Sequence, residues 1–101
     1  MNPPTKLTEI IDRKRYSCAT ATVLAGDDYW DGHNFERGGR NTWLYRTPKG
    51  AYFQVTMSQW QGEDTTLTPL SEDEAIQLYE RLSERRVSYE EAFPGVSVED
   101  A

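Results

Sequence analysis

The sequence predicts a small α+β domain, and three observations carry that reading. Thr47-Pro48-Lys49-Gly50 is a turn signal set between two runs of alternating apolar and polar residues. Ser71-Glu72-Asp73-Glu74 is a helix start ahead of an apolar stripe with helical spacing. The length of 101 residues suits one hydrophobic core and is too short for two, so residues 1–101 are expected to form a single domain with ends 1–5 and 96–101 frayed. The architecture expected is a small antiparallel sheet, made of N-terminal strands plus the hairpin about Pro48-Gly50. A C-terminal helix near 72–86 packs on one face, and a short second helix follows.

Taken in order, Leu7 to Ile11 has the β-branched and apolar character of a strand. Asp12-Arg13-Lys14 reads as a turn, and Arg15-Tyr16 as the start of a returning strand. Ser17 to Ala25 reads as extended, with Ala19, Ala21, Val23 and Ala25 on one face and Cys18, Thr20, Thr22 and Leu24 on the other. Gly26 to Gly39 mixes Gly, Asp and Asn without a period, the pattern of a loop, with Tyr29, Trp30 and Phe35 as its anchors.

The hairpin is the most explicit element. Proline supplies the φ a type I turn needs, and glycine supplies the left-handed residue that closes a three-residue loop. Pairing Thr47 with Ala51 places Tyr45 opposite Phe53, Trp43 opposite Val55 and Asn41 opposite Met57 on one face. The other face receives Arg46 with Tyr52, Leu44 with Gln54 and Thr42 with Thr56. Turn chemistry and hydrophobic pattern agree on one register, as expected of a real element. The more apolar face, with Trp43, Tyr45, Phe53, Val55 and Met57, is expected to lie under the helix.

Gln59 to Asp64 reads as a polar connection, and Thr66 to Pro69 as a final strand that Pro69 ends or confines to an edge. In the helix, Ala75, Leu78, Tyr79 and Leu82 follow the i, i+3, i+4, i+7 spacing, and Arg85 and Arg86 arrive where the helix dipole favours positive charge. Ser88-Tyr89-Glu90-Glu91 repeats the cap before Pro94-Gly95, which predicts a helix of one or two turns.

Three blocks together resemble a known family. Arg15-Tyr16 with Thr20-Ala21, then Leu44-Tyr45-Arg46-Thr47-x-Lys49-Gly50-x-Tyr52-Phe53, then Pro69-Leu70-Ser71-x-x-Glu74-Ala75, are similar to the pattern KRYDTxTA…LYRTxxGxxF…PLSxxEA. That pattern belongs to small, mostly uncharacterised bacterial, phage or mobile-element proteins. The resemblance implies such an origin and brings no activity with it. The chain departs from the pattern at Asp12-Arg13, where an Asn-Gly turn is expected, and at Ser17, where the family has Asp.

Composition narrows the function classes. A single cysteine, Cys18, leaves no intrachain disulfide and too few thiolates for a structural zinc or iron-sulfur site. No stretch approaches the roughly 20 apolar residues of a membrane span, and Met1-Asn2-Pro3-Pro4 lacks a signal-peptide layout, so a cytoplasmic protein without membrane attachment is expected. The net charge of −6 argues against generic attachment to nucleic acid. It is unevenly spread: residues 1–50 carry eight Lys/Arg against six Asp/Glu, and residues 51–101 carry three against eleven.

No motif assembles a catalytic set, and the expectation is a protein without enzymatic activity, metal or cofactor. His33 and Cys18 are the sole histidine and thiol, and nothing in their spacing brings them together. Asp27-Asp28-x-x-Asp31 lacks the alternating ligands of a calcium loop and reads as loop charges or caps. Glu72-Asp73-Glu74 and Glu90-Glu91 read as first-turn acids of helices. Gly38-Gly39 between Arg37 and Arg40 lacks the strand-to-helix setting of a phosphate loop.

Arg37, Arg40, Arg46 and Lys49 interleave with Trp43, Tyr45, Tyr52 and Phe53, the parts of a nucleic-acid-binding sheet. The register assigns most of those rings to the core and leaves Tyr52 beside Arg46. The expected recognition residues are therefore Arg46 and Tyr52 on an outward face, with Arg37 and Arg40 nearby. The function expected is a protein-interaction or regulatory module with an unknown protein partner, the alternative being a nucleic-acid binder using the basic N-terminal half.

Overall fold

The computed structural model describes residues 3–27, 40–58 and 65–97, without the side chains of Arg40 and Ser58. The expected loop anchors Tyr29, Trp30 and Phe35, and the connection 59–64, lie outside the described residues. The α+β class holds. In chain order the elements are β1 (Thr8–Ile11), β2 (Lys14–Ser17), β3 (Thr22–Gly26), β4 (Arg40–Arg46), β5 (Tyr52–Ser58), β6 (Thr66–Leu70), α1 (Glu72–Arg81), β7 (Glu84–Arg85) and α2 (Tyr89–Ala92). β1 and β2 form a two-stranded sheet of their own, and the other strands form a five-stranded sheet in the order β6-β5-β4-β3-β7. Every pairing is antiparallel.

The β4–β5 hairpin has the register read from its turn, with Asn41 opposite Met57, Trp43 opposite Val55, Tyr45 opposite Phe53 and Arg46 opposite Tyr52. The Thr47 amide donates to the Ala51 carbonyl at 2.8 Å, the Gly50 amide donates to the Thr47 carbonyl at 2.9 Å, and Gly50 has φ +89°. A left-handed residue is where glycine costs least. Pro69 lies in β6, an edge strand, where a missing amide leaves no ladder bond unmade.

The helix covers the face opposite to the one expected. Leu24, Leu44 and Tyr52 pack with Ala75, Leu78 and Tyr79 of α1, with Leu82 just after it, and with Ala92 and Phe93. Trp43, Tyr45, Phe53, Val55 and Leu67 pack instead with Tyr16 and Cys18, flanked by Leu7 and Ile11 of the N-terminal segment. The physical reason is that β1–β2 stands off from the main sheet and supplies a second cover. The aromatic face takes that broad hairpin, and the narrower face takes a helix that can approach closely at Ala75. Both faces of the sheet are therefore buried.

α1 also ends earlier than expected. Ser71 caps it with a complete capping box: its hydroxyl accepts from the Glu74 amide at 3.2 Å, and the Glu74 carboxylate accepts from the Ser71 amide at 3.0 Å. After Leu82 the chain turns back, and Glu84–Arg85 adds to the edge of β3, pairing Ala25 with Arg85 and Gly26 with Glu84. Arg85 still serves the helix C-terminus, but from outside it. Its Nε donates to the Tyr79 carbonyl at 3.1 Å and its Nη2 to the Glu80 carbonyl at 2.6 Å, closing carbonyls that the last turn leaves open. β3 is shorter than the extended run expected for Ser17 to Ala25, and a register shift between Val23 and Ala25 breaks its alternation, so that Leu24, Ala25 and Gly26 are all buried.

Candidate functional site

Arg13, Lys14 and Arg15 are consecutive cations at the turn and on the first residues of β2, and all three side chains are exposed. Their placement follows from the turn. Asp12 and Arg13 both have positive φ, 56° and 67°, so a two-residue loop joins Ile11 to Lys14 where a three-residue turn was expected. Tyr16 then points inward, its ring set edge-on to Phe53 at 5.7 Å and 70°. Phe53 stacks in turn on Tyr45, at 4.8 Å and 3°, and the Tyr45 hydroxyl donates to the Pro4 carbonyl at 2.6 Å. These contacts hold β2 beside the Pro48 turn.

Between them lies an open groove of about 670 Å³. Residues from Arg13 to Ser17, with Thr20, form one wall, and Thr47, Pro48, Lys49 and Ala51 form the other. No residue of β1 lines it, which places it along the outer edge of β2. Four cations, Arg13, Lys14, Arg15 and Lys49, and three hydroxyls, Ser17, Thr20 and Thr47, thus converge on one concavity. The groove joins two chain segments, Arg13 to Thr20 and Thr47 to Ala51, and in the sequence Arg13-Lys14-Arg15 read only as turn and strand residues. The consecutive run was the signal available; the fold was needed to bring Lys49 to it.

The other expected site residues are distributed differently. Tyr52 is 6% exposed, packs its ring 5.2 Å from Phe93, and donates its hydroxyl to the Ala92 carbonyl at 3.0 Å. Burial pushes its phenol above the usual range, while the Arg46 guanidinium opposes that shift. Arg46 is half-buried on the same helix-covered face, and its Nε lies buried without a hydrogen-bond partner among the described residues. The face expected to look outward is thus an interface with α1 and α2. Arg37 lies outside the described residues, and Arg40 begins β4 with its side chain undescribed.

Cys18 is a buried free thiol, raised in pKa by that burial, which disfavours the nucleophilic thiolate. His33, Asp28, Asp31, Gly38 and Gly39 lie outside the described residues. Asp27 has a structural part: its carboxylate accepts from the Thr42 amide at 2.6 Å and from Asn41 Nδ2 at 3.2 Å, where β3 meets β4. Glu91 follows the second serine cap, its amide donating to the Ser88 hydroxyl at 3.2 Å. No His, Cys, Asp and Glu group suited to a metal occurs among the described residues, and no helix among them is long and apolar enough to cross a membrane.

No family model, curated protein or solved structure matches the chain.

Proposed function

We propose that the protein is a non-enzymatic protein-interaction module that recognises its partner at the groove between β2 and the Pro48 turn. The observation that carries the reading is the convergence there of Arg13, Lys14, Arg15 and Lys49 on a chain whose net charge is −6. Among the described residues no ion pair compensates these four side chains, so a ligand bringing negative charge meets cations that need not first be freed. Arg13 adds a second support. A non-glycine residue in the left-handed region costs about 1–2 kcal/mol, and such strain concentrates at functional positions.

Affinity capture from bacterial lysate with the wild-type chain and with an R13E/R15E variant tests the reading. Partners should be retained by the first and lost by the second while both stay folded; partners held equally by both would remove the groove from consideration. Nucleic-acid binding is the second reading, favoured by the same cluster. In a mobility shift it predicts duplex or single-strand binding that weakens steeply with salt and is lost in R13E/R15E.

A further inference from the structure

The groove runs along a strand edge, and the backbone there has hydrogen-bonding capacity to offer. The Cys18 amide donates to the Leu7 carbonyl at 2.9 Å, which fixes the parity of the β1–β2 ladder. Residues opposite one another alternate between hydrogen-bonded and non-hydrogen-bonded pairs in an antiparallel ribbon. Leu7 with Cys18, Glu9 with Tyr16 and Ile11 with Lys14 are then the bonded pairs, and Ile10 with Arg15 and Thr8 with Ser17 are not. The amide and carbonyl of Arg15, and the amide of Ser17, consequently point away from β1 and toward the groove. The Ser17 carbonyl is used locally, accepting from the Ala21 amide at 3.1 Å. Among the described residues no strand pairs with that edge of β2.

Resting on the reading of this groove as a protein-binding site, we propose that the partner contributes an extended, acidic segment that adds to the outer edge of β2 as a third strand. Strand addition supplies affinity through main-chain bonds, and side chains set specificity. Arg15 offers one donor and one acceptor on its backbone and a cation on its side chain. Arg13, Lys14 and Lys49 stand on either side, so carboxylates on the incoming strand meet positive charge at both walls. Two features favour a peptide over a nucleic-acid strand. Amide pairing at Arg15 needs a partner with a peptide backbone, and Tyr16, the aromatic lining the groove, is buried against Phe53 rather than free to stack on a base.

The test uses the full chain and four labelled probes: an end-capped peptide alternating Glu and Val over about eight residues, the same peptide with Lys for Glu, the acidic peptide N-methylated at two adjacent central residues, and a single-stranded DNA oligomer. Fluorescence anisotropy should show binding of the acidic peptide alone. Its affinity should fall about tenfold or more in R15E and between about 0.05 M and about 0.5 M salt. N-methylation keeps every charge and blocks both edges of the peptide, so it too should abolish binding. Equal affinity for the methylated peptide overturns strand addition and leaves the interaction reading standing on charge alone. Binding of DNA in place of the peptide overturns the proposal, and so does silence from every probe, which would assign the cations to the protection of an open strand edge. Loss of groove dependence in the lysate capture is a separate result that overturns the interaction reading itself. Thermal melting of R15E alongside the wild type separates lost recognition from lost fold.

Discussion

At the scale of single residues, the two turns set opposite demands. Gly50 sits at φ +89°, and a Cβ built there would come 3.6 Å from Arg46 Nη2, an ordinary contact. The cost of Gly50→Ala is therefore conformational, about 1 kcal/mol, read as a lowered denaturation midpoint, while Lys49→Ala should leave stability unchanged. The reverse holds at the first turn, where Arg13 occupies a left-handed position that glycine adopts without strain. Arg13→Gly should raise stability by about 1 kcal/mol and at the same time weaken partner binding. A variant that gains stability and keeps full affinity would show that the arginine is not retained for recognition. The Pro48 turn was legible because Pro and Gly occupy the positions their φ preferences demand. The first was harder to place, since Asp12 and Arg13 carry no such signature.

At the scale of elements, α1 shows what a sequence pattern can and cannot carry. Its start was legible to the residue, because Ser71 and Glu74 make a local, reciprocal pair of hydrogen bonds that depends on nothing else. Its end was not, because the stop depends on β7 docking against β3 and on Arg85 folding back on the helix carbonyls, both long-range events. Face assignment failed for a related reason. Periodicity says which residues of a hairpin share a face, and that was correct; which cover each face receives is decided by elements elsewhere in the chain. The helix contributes to stability in proportion to what it buries. Leu78→Ala should cost about 2–5 kcal/mol through a cavity at a site 3% exposed, against about 1 kcal/mol for Ser71→Ala at the solvent-facing cap. Equal effects of the two in urea denaturation would mean that α1 is not docked on β4 and β5.

At the scale of the whole molecule, the sheet divides the interior into two aromatic clusters with different chemistry. On the hairpin side, Tyr16, Tyr45 and Phe53 lean on one another, and the groove cations sit just outside them. On the helix side, Tyr52, Tyr79, Tyr89 and Phe93 join the sheet, α1 and α2, and two of the phenols are donors to backbone carbonyls. Tyr52 donates to Ala92 and Tyr79 to Val87, the latter at 2.7 Å, so ionising either would remove a bond that holds the C-terminal segment down. The candidate site was only partly legible because its two walls come from two separate hairpins. Its cations are plain in the sequence, but their convergence depends on the N-terminal hairpin covering the face that periodicity assigned to the helix.

The helix-side phenols give the molecule a definite alkaline limit. Burial raises the pKa of both Tyr52 and Tyr79, against the opposing pull of Arg46 on the first and Arg85 on the second. With the folded value above the unfolded one, both states hold the proton below the unfolded value of about 10, and the stabilisation is fully present there. As pH rises past that point the unfolded chain loses protons first, so stability falls until the folded phenols titrate as well. Urea midpoints should therefore begin to fall near about pH 8.5, where the unfolded Cys18 thiol ionises ahead of the buried one, and fall further beyond about pH 10 as the two tyrosines join it. Tyr52→Phe and Tyr79→Phe should each lower stability at neutral pH by about 0.5–1.5 kcal/mol through the lost hydrogen bond. Together they should flatten the alkaline decline relative to the wild type. A double variant whose alkaline decline matches the wild type would place the titrating groups elsewhere in the fold.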